Sequence, residues 1–274
     1  MIYVLTGVFT RIISNSYLNV FQKILTNEGN KSSVINFYTY LGLTLLSLVF
    51  IPFIDISFSN EVVFNFICMG ILGALGNYFI IKALSAGELS SLAPINSYKP
   101  VIALIIAFFY LKEVPSLYAL FGIILIISGT YIINKSISNN KLAVFYRVLA
   151  LIFSGSEAVF IKKIILLSNI PTSFMLWAIS GLIFSFLPVI MSKHKPKLPS
   201  AKHLSLLILS VGIMQYSTNF VFSKINVSYA LALFQLSTLL SIFLGVNIFK
   251  EDGLKRKLIA SFIMILGAIT IILS

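Results

Sequence analysis

Long apolar runs separated by short polar connections dominate this sequence. Each run is long enough, at about 1.5 Å per residue, to cross the roughly 30 Å hydrocarbon core of a bilayer. The pattern predicts ten membrane-spanning helices, at residues 2–24, 34–54, 62–83, 90–110, 116–134, 143–166, 172–192, 203–222, 227–249 and 257–273. Because the runs are continuous and long, they favour helices over the short alternating strands of a membrane barrel. The first run carries Arg11 within it and reads as a retained helix, not a signal peptide.

The composition supports an all-α integral membrane protein. Hydrophobic residues make up 58% of the chain and charged residues only 10%, and the mean hydropathy is +1.01. A soluble domain has about 25% charged residues. The net charge of +12 would suggest nucleic acid as a partner of a soluble protein. Here most basic residues lie in short connections, where they face anionic lipid headgroups. We therefore expect a multi-pass protein of the plasma or bacterial inner membrane that contacts the lipid bilayer and does not bind nucleic acid.

Residues that carry enzymatic or metal chemistry are scarce in this sequence. The single cysteine, Cys68, excludes an intramolecular disulfide and a metal site built from thiolates. The two histidines, His194 and His203, fall in one polar connection, and no acidic cluster accompanies them. The sequence therefore predicts no catalytic residues, no metal and no cofactor, and we expect the protein not to be an enzyme.

An internal repeat divides the chain into halves at residues 1–138 and 139–274. A shift of 138 positions aligns Lys112 and Glu113 with Lys250 and Glu251, and a glycine follows each glutamate sixteen residues later. The glutamates are expected in the turn that opens the next helix, at its positive dipole end. The glycines, Gly129 and Gly267, would let helices pack closely. Because each repeat has five spans, the second must enter the membrane inverted, as in many secondary transporters, whose sites lie near the midplane.

The stretch from Gly76 to Ile133 is similar to the half-repeat of the drug/metabolite transporter superfamily, EamA type. The matching positions are an Ala-Leu pair near a helix end, a Pro-Val pair inside the next helix, a glutamate turn and a Gly-rich helix: Ala83, Leu84, Pro100, Val101, Glu113, Gly122 and Gly129. This resemblance implies ten helices, a central cavity between the repeats and substrate movement by alternating access. It does not imply a substrate. Lys112 and Lys250 depart from the pattern, which has glycine before the glutamate, and Thr238 replaces a proline.

Three ionisable residues, Arg11, Lys99 and Glu157, fall near the middle of their predicted spans. A charge there costs about 2.5 to 3.5 kcal/mol, so each should face protein or a water-filled cavity. Polar side chains recur at helical spacing beside them. The predicted substrate-binding residues are Arg11, Asn15, Asn19, Asn77, Asn96, Lys99, Glu157, Gln215, Asn219 and Gln235. The alternative is structural: the amides join helices by hydrogen bonds, and the charges form a buried ion pair.

The charges of these candidates bear on the substrate. Two cations against one carboxylate favour an anionic or zwitterionic metabolite, for example an amino acid, with Lys99 or Arg11 for a carboxylate or phosphate and Glu157 for an ammonium group or a coupling proton. Aromatic residues are abundant, but in a membrane protein they more often face lipid or the interface. We expect transport without an obligate protein partner. The alternatives are a non-transporting membrane component, such as a lipid-headgroup flippase subunit or a scaffold, and, last, a membrane-embedded enzyme.

Orientation is predicted in two opposite ways. Fourteen Lys and Arg residues lie on the side of the odd-numbered connections and four on the other side. The positive-inside rule then places the odd-numbered connections in the cytoplasm and both termini outside. The resemblance implies cytoplasmic termini instead. We follow the charge rule.

Overall fold

All regular elements that the computed structural model describes are helical. The described residues are 2–55, 59–86, 95, 97–133, 140–190, 199–237, 240 and 254–274. They form ten α-helices: α1 (Ile2–Asn27), α2 (Ser32–Ser47), α3 (Asn60–Ala86), α4 (Lys99–Tyr110), α5 (Leu117–Ile133), α6 (Lys141–Leu167), α7 (Ile170–Ile190), α8 (Ala201–Phe222), α9 (Val227–Phe234) and α10 (Leu254–Ile272). A 3₁₀ helix, Leu48–Phe53, continues α2.

Each helix corresponds to one of the ten predicted spans, and the differences are at the ends. The second span changes to 3₁₀ geometry where Pro52 removes a backbone donor. In the fourth span the helix begins at Lys99 after a turn at residues 97 and 98, and Pro100 occupies its first turn, where proline is tolerated. The parts of the predicted spans at 90–94 and 241–249 lie outside the described residues.

The surface of the helices suits a lipid environment. Four described segments are each long and apolar enough to cross a bilayer: Ser33–Phe53, Asn60–Ile80, Lys141–Leu167 and Ala201–Phe222. Large apolar side chains such as Ile67, Phe109 and Phe262 are at least half exposed on the outside of the bundle. In lipid such exposure has no hydrophobic cost, so helix association depends on close packing and interhelical polar contacts.

Corresponding helices of the two halves run in opposite directions. In the α5–α10 pair, Gly122 lies against Gly267, and Gly129 lies against Ala260, so the numbering falls along one helix as it rises along the other. The remaining contacts follow the same symmetry: α3 packs on α6 as α8 packs on α1, and α2 packs on α7. The two five-helix repeats are therefore inverted relative to each other, as the odd number of spans requires.

Glycine allows the closest of these contacts. A Cβ added at Gly122 would lie 2.6 Å from the carbonyl oxygen of Gly267, and one at Gly267 would lie 2.6 Å from the carbonyl oxygen of Gly122. At Gly129, an added Cβ would lie 2.8 Å from the carbonyl oxygen of Ala260. Backbone atoms cannot move aside as a flexible side chain can. The prediction that Gly129 and Gly267 permit close helix packing is therefore confirmed.

The alternation of the helices defines two ends of the bundle. We call the end with the α1–α2 and α7–α8 connections the α1–α2 side, and the end with the α2–α3 and α6–α7 connections the α2–α3 side. On the α2–α3 side, polar contacts join the two repeats, through Asn169 Nδ2 and the Phe53 carbonyl oxygen (2.9 Å), Asp55 N and Thr172 Oγ1 (3.0 Å), Ser116 N and the Tyr229 hydroxyl (2.8 Å), and Lys163 and Glu61 (2.9 Å). On the α1–α2 side, His203 Nδ1 lies 2.6 Å from Glu28 Oε1.

Glu113 corrects one sequence expectation. It lies in the turn before α5, but its carboxylate is directed to α9 of the other repeat, where Oε2 accepts a hydrogen bond from Val227 N at 2.9 Å. The start of α5 has a different cap, because Ser116 Oγ accepts a hydrogen bond from Ala119 N. The carboxylate therefore stabilises the positive end of a helix, as expected, but that helix belongs to the second repeat. Its counterpart, Glu251, lies outside the described residues.

Candidate functional site

A cavity of about 330 Å³ lies inside the bundle between α2, α3, α6 and α7. Its walls come from the middle of α3, α6 and α7 and the first half of α2, with Gln22 at the end of α1, so it extends from the centre of the bundle towards the α1–α2 side. Its lining includes Gln22, Ser33, Asn36, Tyr40, Met69, Gly73, Asn77, Glu157, Trp177, Ser180, Phe184 and Ser185. The lining is mixed, with amide, hydroxyl and aromatic groups around one carboxylate.

Glu157 is the charged side chain among the residues that line this cavity. It projects from the middle of α6, and its Oε1 accepts a hydrogen bond from Trp177 Nε1 of α7 at 3.3 Å. On α3, Gly73 provides the space for the carboxylate, because a Cβ there would lie 2.7 Å from Glu157 Oε1. The absence of a side chain at Gly73 thus lets the carboxylate occupy its position between α3 and α7.

Two aromatic side chains stand beside this carboxylate. The ring centroids of Tyr40 and Trp177 are 5.2 Å apart, with the planes tilted by 59°. Tyr40 fits because Gly181 on α7 has no side chain where its ring lies, and its hydroxyl shares a hydrogen bond with Asn77 of α3. Glu157 lies close enough to Tyr40 for an electrostatic interaction. These contacts join α2, α3, α6 and α7 around one point of the cavity.

The two central cations occupy other places. Arg11 of α1 stacks over Phe234 of α9, with its guanidinium carbon 4.4 Å from the ring centroid. Lys99, at the start of α4, attracts Glu157 electrostatically and is repelled by Arg11. Neither cation lines the cavity, and no ion pair within 4 Å includes either of them among the residues that the structure describes. Among the residues that the structure describes, the lining of this cavity thus carries a negative charge, and a binding role for Arg11 and Lys99 stays a prediction.

The other predicted site residues are divided between the cavity and the helix interfaces. Asn77 lines the cavity together with Glu157. Gln215 Nε2 donates to Asn219 Oδ1 at 2.9 Å, and both side chains are buried on α8, away from this cavity. Gln235 is buried at the end of α9, and Asn15 is partly buried on α1. The Asn19 side chain and all of Asn96 lie outside the described residues. A binding role stays a prediction for Asn77 and equally for these other six residues.

Sequence reasoning missed the aromatic part of the site. It treated aromatic residues as mostly lipid-facing, whereas Trp177 is 8% exposed and lines the cavity with Tyr40. Trp177 is the single tryptophan of the chain and lies in the middle of a span, far from the interfacial depth that tryptophan prefers. From the sequence alone, that mid-span position could have indicated that Trp177 faces the protein interior. Nothing in the pattern distinguished the small residues Gly73 and Gly181, because their role depends on the facing helix.

Comparison with known proteins decides the family. The model of the EamA-like transporter family matches residues 2–135 and again residues 141–273, which together cover nearly the whole chain. The chain belongs to the EamA-like transporter family. As a member of this family, it is a membrane transporter and not an enzyme, and the resemblance inferred from the glutamate turn and the Gly-rich helix is confirmed.

Individual proteins similar to this EamA-like chain give less information about its function than the family model does. An uncharacterized protein of Methanocaldococcus jannaschii is 30% identical over 100 residues, which is 36% of this chain and 72% of that protein. A solved crystal structure has a TM-score of 0.80 to this chain at 14% identity and covers 98% of this chain and 96% of its own. At that identity the likeness shows the fold alone. Neither comparison bears on the substrate.

Proposed function

We propose that the chain is a secondary transporter that moves a small zwitterionic metabolite, such as an amino acid, by alternating access through the cavity between α2, α3, α6 and α7. The observation that carries the proposal is the cavity itself: it reaches the centre of an inverted-repeat bundle and contains polar groups and a carboxylate. A volume of about 330 Å³ is at the lower end of the range for small-molecule sites, roughly 300 to 1,000 Å³. A scaffold without transport would have no need for it.

The two ends of the bundle support alternating access. The cavity extends towards the α1–α2 side, whereas contacts between the repeats, including Asn169 with Phe53 and Lys163 with Glu61, connect the α2–α3 side. In an inverted-repeat fold, rocking of one repeat against the other exposes a central site to each side in turn. We interpret the structure as the conformation accessible from the α1–α2 side.

The charge of the lining selects among the substrates expected from the sequence. With Glu157 in the wall and Arg11 outside it, a purely anionic solute would meet a carboxylate and, in the described part of the lining, no cation. A zwitterion offers a positive group to Glu157 and an anionic group to the hydroxyl and amide donors of Ser33 and Asn36. Proton coupling through the same carboxylate is part of the proposal, as is transport without a partner subunit.

The distribution of basic residues supports one orientation. Most of them lie on the α1–α2 side, and by the positive-inside rule this favours a cytoplasmic position for that side and outside positions for both termini. A reporter that is active only in the cytoplasm, fused after Ser274, should therefore be inactive. Activity there would reverse the orientation and leave the transport proposal unaffected.

The function is tested with purified protein in proteoliposomes. A panel of amino acids, sugars, nucleotides and organic acids is first screened for thermal stabilisation, and each stabilising solute is then measured for uptake with and without a pH gradient. We expect uptake of a zwitterion that carries an amino group, and we expect a pH gradient to change the rate of that uptake. Uptake that depends on adding a second membrane protein would reject the partner-free proposal, and absence of uptake of every solute would reject transport by this chain.

A further inference from the structure

We infer that the corner of the cavity formed by Glu157, Trp177 and Tyr40 is a subsite for a positively charged nitrogen of the substrate. This inference rests on the proposed function and goes beyond it by naming the chemical group that is recognised and the residues that recognise it. The substrate class it implies is a primary ammonium compound small enough for a cavity of about 330 Å³, with the ammonium end deepest in the bundle.

In the described part of the chain, the Glu157 carboxylate has hydrogen-bonding capacity that is not used. An ionised carboxylate accepts up to about four hydrogen bonds. Among the described residues, the hydrogen bond to Glu157 comes from Trp177 Nε1 at 3.3 Å, which is long for a bond to a charged acceptor. Lys99 interacts with Glu157 electrostatically but does not form an ion pair within 4 Å. The carboxylate is thus held in place and keeps acceptor positions for a ligand that donates several N–H groups.

Two aromatic rings lie in the same corner of the cavity as Glu157. Tyr40 and Trp177 both line the cavity, with ring centroids 5.2 Å apart. A cation over such a ring, within about 6 Å of its centroid, gains about 0.5 to 2 kcal/mol, and tryptophan is the most favourable partner. An ammonium group in contact with Glu157 would lie in the same corner of the cavity as these two rings. A carboxylate placed there would instead meet the negative charge of Glu157.

The rest of the cavity is polar but uncharged among the described residues. Ser33 and Asn36 line it nearer the α1–α2 side, and each carries a hydrogen-bond donor, whereas the hydroxyl of Ser185 donates to the Leu182 carbonyl oxygen. A carboxylate, hydroxyl or amide at the far end of the substrate can bind these donors. The charged group of the substrate is therefore recognised at Glu157. The far end of the substrate contacts neutral donors, so its chemical structure should be able to vary more.

The test uses four matched derivatives of each common amino acid: the amino acid itself, the amine that lacks the carboxylate, the acid that lacks the amine and the N-acetylated form. Binding is measured by thermal stabilisation and by calorimetry on wild type, Glu157→Gln and Trp177→Phe. We expect binding of at least one amino acid and weaker binding of its amine, a loss of at least tenfold on N-acetylation, and no binding of the deaminated acid. In Glu157→Gln the preference for the amine over the N-acetylated form should disappear, whereas Trp177→Phe, which keeps the carboxylate but has a less favourable ring for a cation, should bind the amine more weakly and still prefer it.

The outcomes separate this inference from the proposed function. Equal binding of N-acetylated and free forms to wild type, or a preference for the amine that survives Glu157→Gln, would overturn the subsite. Uptake of a deaminated acid or a sugar with no binding of any amine would also overturn it while leaving transport intact. If Glu157→Gln melts far below wild type, the subsite is tested instead by the derivative series on wild type and on Trp177→Phe, because neither protein is changed at Glu157.

Discussion

Glu113 and Lys162 form a buried ion pair that joins the two repeats on the α2–α3 side, with side-chain exposures of 10% and 9%. Both residues also bind backbone at the α8–α9 connection, where Val227 N donates to Glu113 and Lys162 Nζ donates to the Ile225 carbonyl oxygen at 2.8 Å. One carboxylate and one ammonium thus connect the α4–α5 turn, α6 and the start of α9. Opening the α2–α3 side requires these contacts to separate.

Lys162→Met should destabilise the protein by about 3 to 5 kcal/mol, because Glu113 would remain buried without its cation. The double variant Glu113→Gln/Lys162→Met should recover much of this loss, since it leaves no buried charge unpaired. Chemical unfolding of the three proteins in the same detergent measures both effects. A double variant as unstable as Lys162→Met would show that the pair is not the cause.

Lys163→Met provides the matched control one residue further along α6. Lys163 pairs with Glu61 at 2.9 Å, but the two side chains are 25% and 51% exposed. Exposed pairs contribute about 0 to 1 kcal/mol. The change at Lys163 should therefore have a small effect on unfolding compared with the change at Lys162.

The backbone conformation at Lys112 explains why the family pattern has glycine at this position. Its φ of 58° lies in the left-handed region, where a side chain is disfavoured by roughly 1 to 2 kcal/mol and glycine is not. Lys112→Gly should raise the free energy of unfolding by about 0.5 to 1 kcal/mol after the extra flexibility of the unfolded chain is subtracted. Lys112→Ala keeps the Cβ and should give no such gain. Equal gains in both variants would assign the effect to removal of the lysine side chain.

Much of the fold could be predicted from the sequence, because membrane spans follow from run length and polarity. The ten helices, the inverted repeats and the packing role of Gly129 and Gly267 all follow from features that lie along one chain segment. The site was predicted less well. Asn77 and Glu157 do line the cavity, but Arg11 and Lys99 do not, because charge at mid-span shows burial and not which neighbour is faced. The direction of Glu113 towards α9 depends on a contact between repeats, which spacing within one repeat cannot show.

Gly73→Ala should reduce substrate binding with little loss of stability. The added Cβ would lie 2.7 Å from Glu157 Oε1, so the carboxylate must move away from Trp177. The end of a flexible side chain can shift at small cost, and alanine favours the helix by about 0.5 to 1 kcal/mol. We expect affinity for the transported solute to fall by about tenfold, which is ~1.4 kcal/mol. Calorimetric titration and unfolding of the same preparation measure the two quantities.

Gly76→Ala, one turn along α3, is the matched control. A Cβ at Gly76 would lie 3.4 Å from Ser154, at the lower limit of ordinary contact, and Gly76 does not line the cavity. The helix-propensity gain is the same in both variants. If Gly76→Ala reduced affinity as much as Gly73→Ala, a general effect of α3 would replace displacement of Glu157 as the explanation.

Glu157→Gln should abolish most transport while leaving the protein folded. The substitution keeps the side-chain volume and one acceptor for Trp177 Nε1, but it removes the negative charge and the titratable group from the cavity. Among the described residues no cation lies within 4 Å of Glu157, so no close ion pair is broken. A charge in the bilayer centre is itself costly. We therefore expect a free energy of unfolding within about 1 kcal/mol of wild type, the range of a lost ordinary hydrogen bond.

Uptake by Glu157→Gln in proteoliposomes should be at least tenfold lower than wild type, and any remaining uptake should lose the pH dependence that this carboxylate confers. Glu61→Gln changes a carboxylate at the start of α3 outside the cavity and removes one contact between the repeats, so it should keep the pH dependence of uptake and the solute affinity of wild type. A melting temperature of Glu157→Gln far below wild type would instead mean that the carboxylate stabilises Lys99 across their longer separation, as in the structural interpretation of the central charges. Wild-type stability together with wild-type uptake at every pH would reject both roles, because a charge that neither binds substrate nor stabilises the bundle would have no reason to be retained against its cost in the membrane.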